Sequence, residues 1–94
     1  MLGTGRRSRR DHLDIYWARG DAELPRLGLV VSRLGQTAVA RNRLRRRLRE
    51  LWRRELQGMV PPLDVVIRTR KESYRASFAA LRADLVGWAQ GVGD

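Results

Sequence analysis

From His12 to Ala18 the chain alternates, with Leu13, Ile15 and Trp17 on one side and His12, Asp14 and Tyr16 on the other. A period of two is the pattern of a strand with one buried face. "RGDAELP" then turns the chain, and "RLGLVVS", Arg26 to Ser32, predicts a second strand whose short connection to the first suits an antiparallel pair. Beyond it the period lengthens. Leu44, Leu48, Leu51 and Trp52 recur at helical spacing, which predicts a helix from Ala38 to about Gln57, capped by Thr37 and stopped by Gly58 before Pro61 and Pro62. "LDVVIRT", Leu63 to Thr69, is apolar enough to lie inside a sheet. Ser73 then opens a closing helix whose apolar stripe is Tyr74, Phe78, Leu81, Leu85 and Trp88. "MLGTGRRSRRD", residues 1–11, has almost no apolar periodicity and reads as a basic N-terminal arm or a short edge strand. The order strand, strand, helix, strand, helix over residues 1–94 describes a single α+β domain, a small two-layer α/β sandwich.

Charge changes this picture from a generic sandwich to a surface with a partner. The formal net charge is +10 with a pI near 11.7, and of the twenty basic residues all but Lys71 are arginine. Arginine presents a planar, permanently charged fork that grips phosphate bidentately and stacks on bases, although GC-rich codon usage also favours it. There is no cysteine, which removes disulfides, thiolate metal sites and cysteine nucleophiles. His12 is the sole histidine, and on a strand it reads as a solvated side chain rather than a catalyst. No carboxylate cluster or nucleophile with a base is visible, so no catalytic residue and no metal ligand is assigned. No apolar run reaches the roughly twenty residues of a membrane span, so the expectation is a cytoplasmic protein with no membrane partner.

The arginines concentrate where a helix tolerates them least. Five of the seven residues from Arg41 to Arg47 are arginine, at the end of the helix that already carries partial positive charge, while Glu50 and Glu55 sit towards the other end. Glu50 reaches Arg46 or Arg54 at helical spacing, but Arg41, Arg45 and Arg49 repel one another. A solvated face normally mixes signs; this one asks for an external polyanion. A helix that reads DNA bases usually carries Asn, Gln and Ser among its arginines and belongs to an all-helical unit, whereas this one lies between strands and suits phosphate and shape readout of RNA. Tyr16, on the polar face of its strand, would offer a stacking platform for an unpaired base or be a half-buried amphipathic residue.

"AVARNRLRRRLRE" resembles the Arg-Asn-Arg motif of the protein subunit of bacterial ribonuclease P, with Arg45, Arg46 and Arg49 in the basic places that follow the motif. "PRLGLVVSR" resembles the family strand before the motif, "LDVVIRTRK" the strand after it and "SYRASFAALRADL" the closing helix, so the likeness covers residues 12–88. The resemblance implies a mixed sheet with a left-handed β-α-β crossover, against the usual handedness. It also implies a protein that assists a catalytic RNA in cleaving the 5′ leader from precursor tRNA, one protein to one RNA, with magnesium held mainly by the RNA. On that resemblance Arg41, Asn42, Arg43, Arg45, Arg46 and Arg49 would contact the catalytic RNA. Tyr16 would line a leader cleft between helix and sheet, with Ser32, Arg33 and Arg68 at its edge. The chain departs from the family pattern in two places. The family's usual first helix is expected to be absent, and Leu34 and Thr37 stand where basic residues are common. The competing reading is a structural RNA-binding protein, ribosomal or chaperone-like; a lipid-binding amphipathic helix is disfavoured because its apolar stripe is committed to the sheet.

Overall fold

The computed structural model describes residues 5–33 and 35–93. Four strands, β1 (Arg6–Arg9), β2 (Leu13–Arg19), β3 (Arg26–Val30) and β4 (Leu63–Thr69), form one sheet in the order β1-β2-β4-β3. Helix α1 (Ala38–Leu51) continues into a π-helical turn (Trp52–Leu56), and a 3₁₀ turn (Lys71–Arg75) precedes helix α2 (Phe78–Gly93). The sheet is mixed: β2 is antiparallel to β1 and β4, and β3 runs parallel to β4 with α1 in the connection between them. The basic N-terminal stretch is the edge strand of the two options, and its first four residues lie outside the described part.

One pairing differs from expectation. β2 and β3 do run in opposite directions, but they are not neighbours, because β4 lies between them. The six residues from Gly20 to Pro25 cross two strand spacings of about 4.8 Å each, an easy reach for that length. Burial explains the choice. Val65 and Ile67 are almost wholly buried, so β4 gains most from a central place, while β3 tolerates an edge with Arg26, Gly28 and Val30 exposed. Arg26 closes that edge by donating to both carboxylate oxygens of Asp64, its register partner on β4, at 2.7 and 2.8 Å. Gly20 lies close beside this pair: a Cβ there would stand 2.7 Å from the Asp64 carboxylate and displace it.

Both helices pack on one face of the sheet. Leu13 and Ile15 of β2 and Val65 and Ile67 of β4 join Leu44, Leu48, Leu51, Trp52 and Leu56 from the α1 segment and Leu81, Leu85 and Trp88 from α2 in one core. The leucine stripe on α1 is therefore the packing face, as its spacing implies. Thr37 caps α1 by accepting the Ala40 N–H at 3.1 Å. At the other end Gln57 donates to the Trp52 carbonyl at 2.8 Å, and the widened turn keeps both Trp52 and Leu56 in the core.

The closing helix starts later than its apolar spacing suggests. Ser77, not Ser73, caps it by accepting the Ala80 N–H at 3.0 Å, while the buried Ser73 donates its hydroxyl to the Arg70 carbonyl within the 3₁₀ turn. Tyr74 belongs to that turn, and Phe78 at the start of α2 is exposed, so the buried stripe is Leu81, Leu85 and Trp88. His12 is not a solvated side chain. Asp84 of α2 accepts its backbone N–H at 3.1 Å and lies 2.9 Å from its Nδ1; an ionised carboxylate only accepts, so Nδ1 carries the proton.

Candidate RNA interface

Because Leu44, Leu48 and Leu51 are spent on the core, the opposite side of α1 faces outward with whatever else the sequence holds. Asn42, Arg46, Arg49 and Arg53 follow one another at intervals of four, three and four, which stacks them on one face. With Arg45 they line a groove of about 370 Å³, in which Glu50 is the single carboxylate. That carboxylate is already engaged, with Arg54 Nε at 2.7 Å and an Arg53 terminal nitrogen at 3.6 Å. Glu55, the other acid of this segment, is turned to Arg82 of α2, 2.6 Å away. Among the described residues, Arg41, Arg43, Arg45, Arg46, Arg47 and Arg49 therefore have no ion-pair partner, and the first turn of α1 has no acid to offset them.

The motif residues do not all share that groove. Arg43 turns with Arg47 to a smaller recess beside Ser73 and Tyr74. Arg41 is half-buried near Tyr74. Burial pushes the Tyr74 phenol up, opposed by the charges of Arg41 and Arg45. Tyr74 donates its hydroxyl to the Ser32 carbonyl, tying the segment after β3 to the turn that supports α1.

The uncovered face of the sheet forms a second surface. Strand register sets Arg7, Tyr16, Val66 and Gly28 in one row across it, and Arg9, Asp14, Arg68 and Val30 in the next. The Arg7 guanidinium carbon lies 5.7 Å from the centre of the Tyr16 ring, within cation–π range. Ser32 and Arg68 meet in a hollow of about 390 Å³ bounded also by Asp14, Val30, Thr69 and Arg70. Ser32 is held there by donating its backbone N–H to Thr69 Oγ1 at 2.9 Å. Arg33 is exposed and is not part of that wall, and Leu34 lies outside the described residues. Tyr16 thus stands on the face that α1 does not touch, not between α1 and the sheet: Leu13, Ile15 and Trp17 take the helix-covered side, and strand alternation sends Tyr16 to the other. Arg7 and Arg9 join this face because the N-terminal stretch is an edge strand, which splits the double arginines on either side of Ser8 between its two faces.

The family model of ribonuclease P matches residues 1–92. The chain belongs to the ribonuclease P protein family. It is similar to the ribonuclease P protein component of Mycobacterium tuberculosis, 36% identical over 81 residues that make up 86% of this chain and 70% of that one. The corresponding component from Beutenbergia cavernae is 39% identical over 82 residues, 86% of this chain and 69% of that one. The fold agrees with the ribonuclease P protein of Thermotoga maritima at a TM-score of 0.83 and 28% identity, covering 94% of this chain and 84% of that one. The Staphylococcus aureus protein, at 19% identity and a TM-score of 0.81, shares the fold. The chain is accordingly the RNA-binding protein subunit of an RNA-based endoribonuclease that matures tRNA, and a purely structural ribosomal or chaperone-like role is not favoured.

Proposed function

We propose that α1 binds the catalytic RNA of ribonuclease P and that the open face of the sheet holds the 5′ leader of precursor tRNA. The observation that carries the first half is the set of arginines on α1 that have no ion-pair partner among the described residues, on a helix whose apolar side is already buried. Asn42, Arg45, Arg46 and Arg49 offer one continuous groove to phosphates, and Arg41 and Arg43 reach the backbone on its flanks. For the leader, Tyr16 supplies a stacking surface. Gly28 leaves backbone bare beside Val66, and Arg68 with Ser32 supplies donors at the edge, with Arg33 nearby in the chain. An unpaired strand suits this face, since a row of aromatic, small and cationic residues reads stacking and charge rather than base edges.

The catalytic centre is placed on the RNA. Magnesium is placed there with it, held mainly by the RNA partner. Fixed guanidinium groups replace diffuse cations between two polyanions, which is how a protein without a catalytic residue raises a ribozyme's rate at low magnesium. The assembly is one protein to one RNA. It works in the cytoplasm, where precursor tRNA is made, and among the described residues no helix is long and apolar enough to cross a membrane.

The test is cleavage of a precursor tRNA by the cognate catalytic RNA at low magnesium, with and without this protein. The expected result is no cleavage by protein alone and leader removal at lower magnesium when both are present. Equal rates with and without the protein would refute the reading.

A further inference from the structure

A fourth recess lies at the β1 edge of the sheet, where β1 meets the last turns of α2. Its wall is Arg6, Ser8, Arg10, Trp17, Trp88, Gly91 and Val92, around a volume of about 390 Å³. Every side chain in that wall able to hydrogen-bond is a donor or a hydroxyl, and none is a carboxylate. Arg6 and Ser8 pair with Trp17 and Ile15, so strand alternation turns them to the same side as the core. The guanidinium of Arg10 lies along α2, its Nη1 3.5 Å from where a Cβ on Gly87 would stand. Two buried donors of the described residues have no hydrogen-bond partner, Arg10 Nε and Trp88 Nε1, and both belong to this wall. Trp88 is 2% exposed, and its ring meets Trp17 edge to face at 5.6 Å, which fixes an aromatic side to the recess.

We infer that this recess is a second phosphate-binding pocket, one that takes a phosphate group together with an adjoining base, independent of the α1 surface. Two guanidinium groups and a hydroxyl receive the phosphate oxygens, and the indole of Trp17 with Val92 receives an aromatic plane. The carboxyl end of α2 opposes an anion with roughly half a negative charge, which two full positive charges at the mouth outweigh. The same chemistry is offered by a free nucleotide and by a phosphate of single-stranded RNA. The pocket does not depend on the roles proposed for α1 and the open sheet face, and its test uses no catalytic RNA.

Tryptophan emission of the full chain is the direct readout, because two of its three tryptophans line the recess. Adenosine 5′-monophosphate and a short single-stranded oligoribonucleotide are titrated separately. A saturable change with the mononucleotide assigns the pocket to free nucleotides; a change with the oligonucleotide alone assigns it to RNA. Gly91→Leu is the blocking variant: a side chain at Gly91 meets nothing within 4 Å and so projects into open space, and leucine favours a helix over glycine. It should keep the melting temperature and abolish the emission change, and Arg6→Gln should weaken the response about tenfold, as loss of a charge-assisted contact does. The proposal is overturned if neither probe alters the emission, or if Gly91→Leu responds as the parent does. It is equally overturned if Arg6→Gln lowers the melting temperature and leaves the response intact, since Arg6 would then serve only to offset the end of α2.

Discussion

Arg70 reaches from the end of β4 to Asp14 on β2, its Nη1 2.7 Å from Asp14 Oδ1, and its Nη2 donates to the carbonyls of Arg10 and Asp11 at 2.5 and 2.6 Å. Both side chains are largely buried, at 19% and 10% exposed. One guanidinium thus joins the central strand to the β1–β2 turn, and so holds the edge strand that contributes Arg7 and Arg9 to the open face.

Removing one partner leaves the other charged and enclosed. Arg70→Met should cost about 3–5 kcal/mol, a fall in melting temperature of more than about 10 °C for a domain of this size. Thermal denaturation followed by circular dichroism checks it. Replacing Asp14 and Arg70 together by apolar residues of similar volume should recover most of the loss; if the double variant is no better than the single one, the carbonyl contacts matter more than the ion pair.

Arg45→Gln with Arg46→Gln should weaken binding to the catalytic RNA and flatten the slope of its dependence on salt by roughly 1.4 to 1.8, at about 0.7 to 0.9 for each of two phosphate contacts. Stability should hold or rise by at most about 1 kcal/mol per charge, because repelling charges leave the positive end of α1. Filter binding across a salt series, with a melting curve for the same variant, separates the two effects. An unchanged salt slope would move the phosphate contacts off this groove.

Tyr16→Ala should weaken binding of precursor tRNA by about 1–3 kcal/mol, the worth of one stacked base, and leave mature tRNA untouched. Its ring lies on the open face under Arg7 and outside the core, so the fold should survive. Competition between the two tRNAs for the assembled enzyme measures the difference; an equal loss for both would make Tyr16 a packing residue.

Acid should act through two surface pairs. The Arg82 guanidinium hydrogen-bonded to Glu55 holds that carboxyl below the usual carboxylate range, and Arg26 does the same for Asp64. A carboxyl whose pKa is lowered by folding adds stability above its unfolded value and loses it as pH falls through the folded one. Glu55→Gln should therefore lower the melting temperature at neutral pH and have no effect in acid below the carboxylate range. A penalty of the same size at both pH values would assign Glu55 to packing.

How much of this was legible without coordinates depends on whether neighbours in sequence or neighbours in space decide. The alternation of Leu13, Ile15 and Trp17, the stripe through Leu44, Leu48 and Leu51, and the cap at Thr37 are local, and all three stand in the structure as the chain implies. The arginine surface of α1 follows from the same stripe, because a helix that buries its leucines must turn the remaining residues outward. Strand order is different: the short turn after β2 suits a hairpin, but the place beside β2 goes to whichever strand buries more, and Val65 and Ile67 on β4 win it from a chain segment some forty residues away. The settling of the N-terminal stretch as an edge strand beside β2 and the pairing of His12 with Asp84 are likewise set by contacts between distant segments. The amino-acid sequence by itself determined the periodicities, the excess of arginine and the family motif. Only the tertiary structure decided which positive charges share a groove and which face of the sheet stays open, because burial is a competition among all the segments of the chain and no single segment carries its outcome.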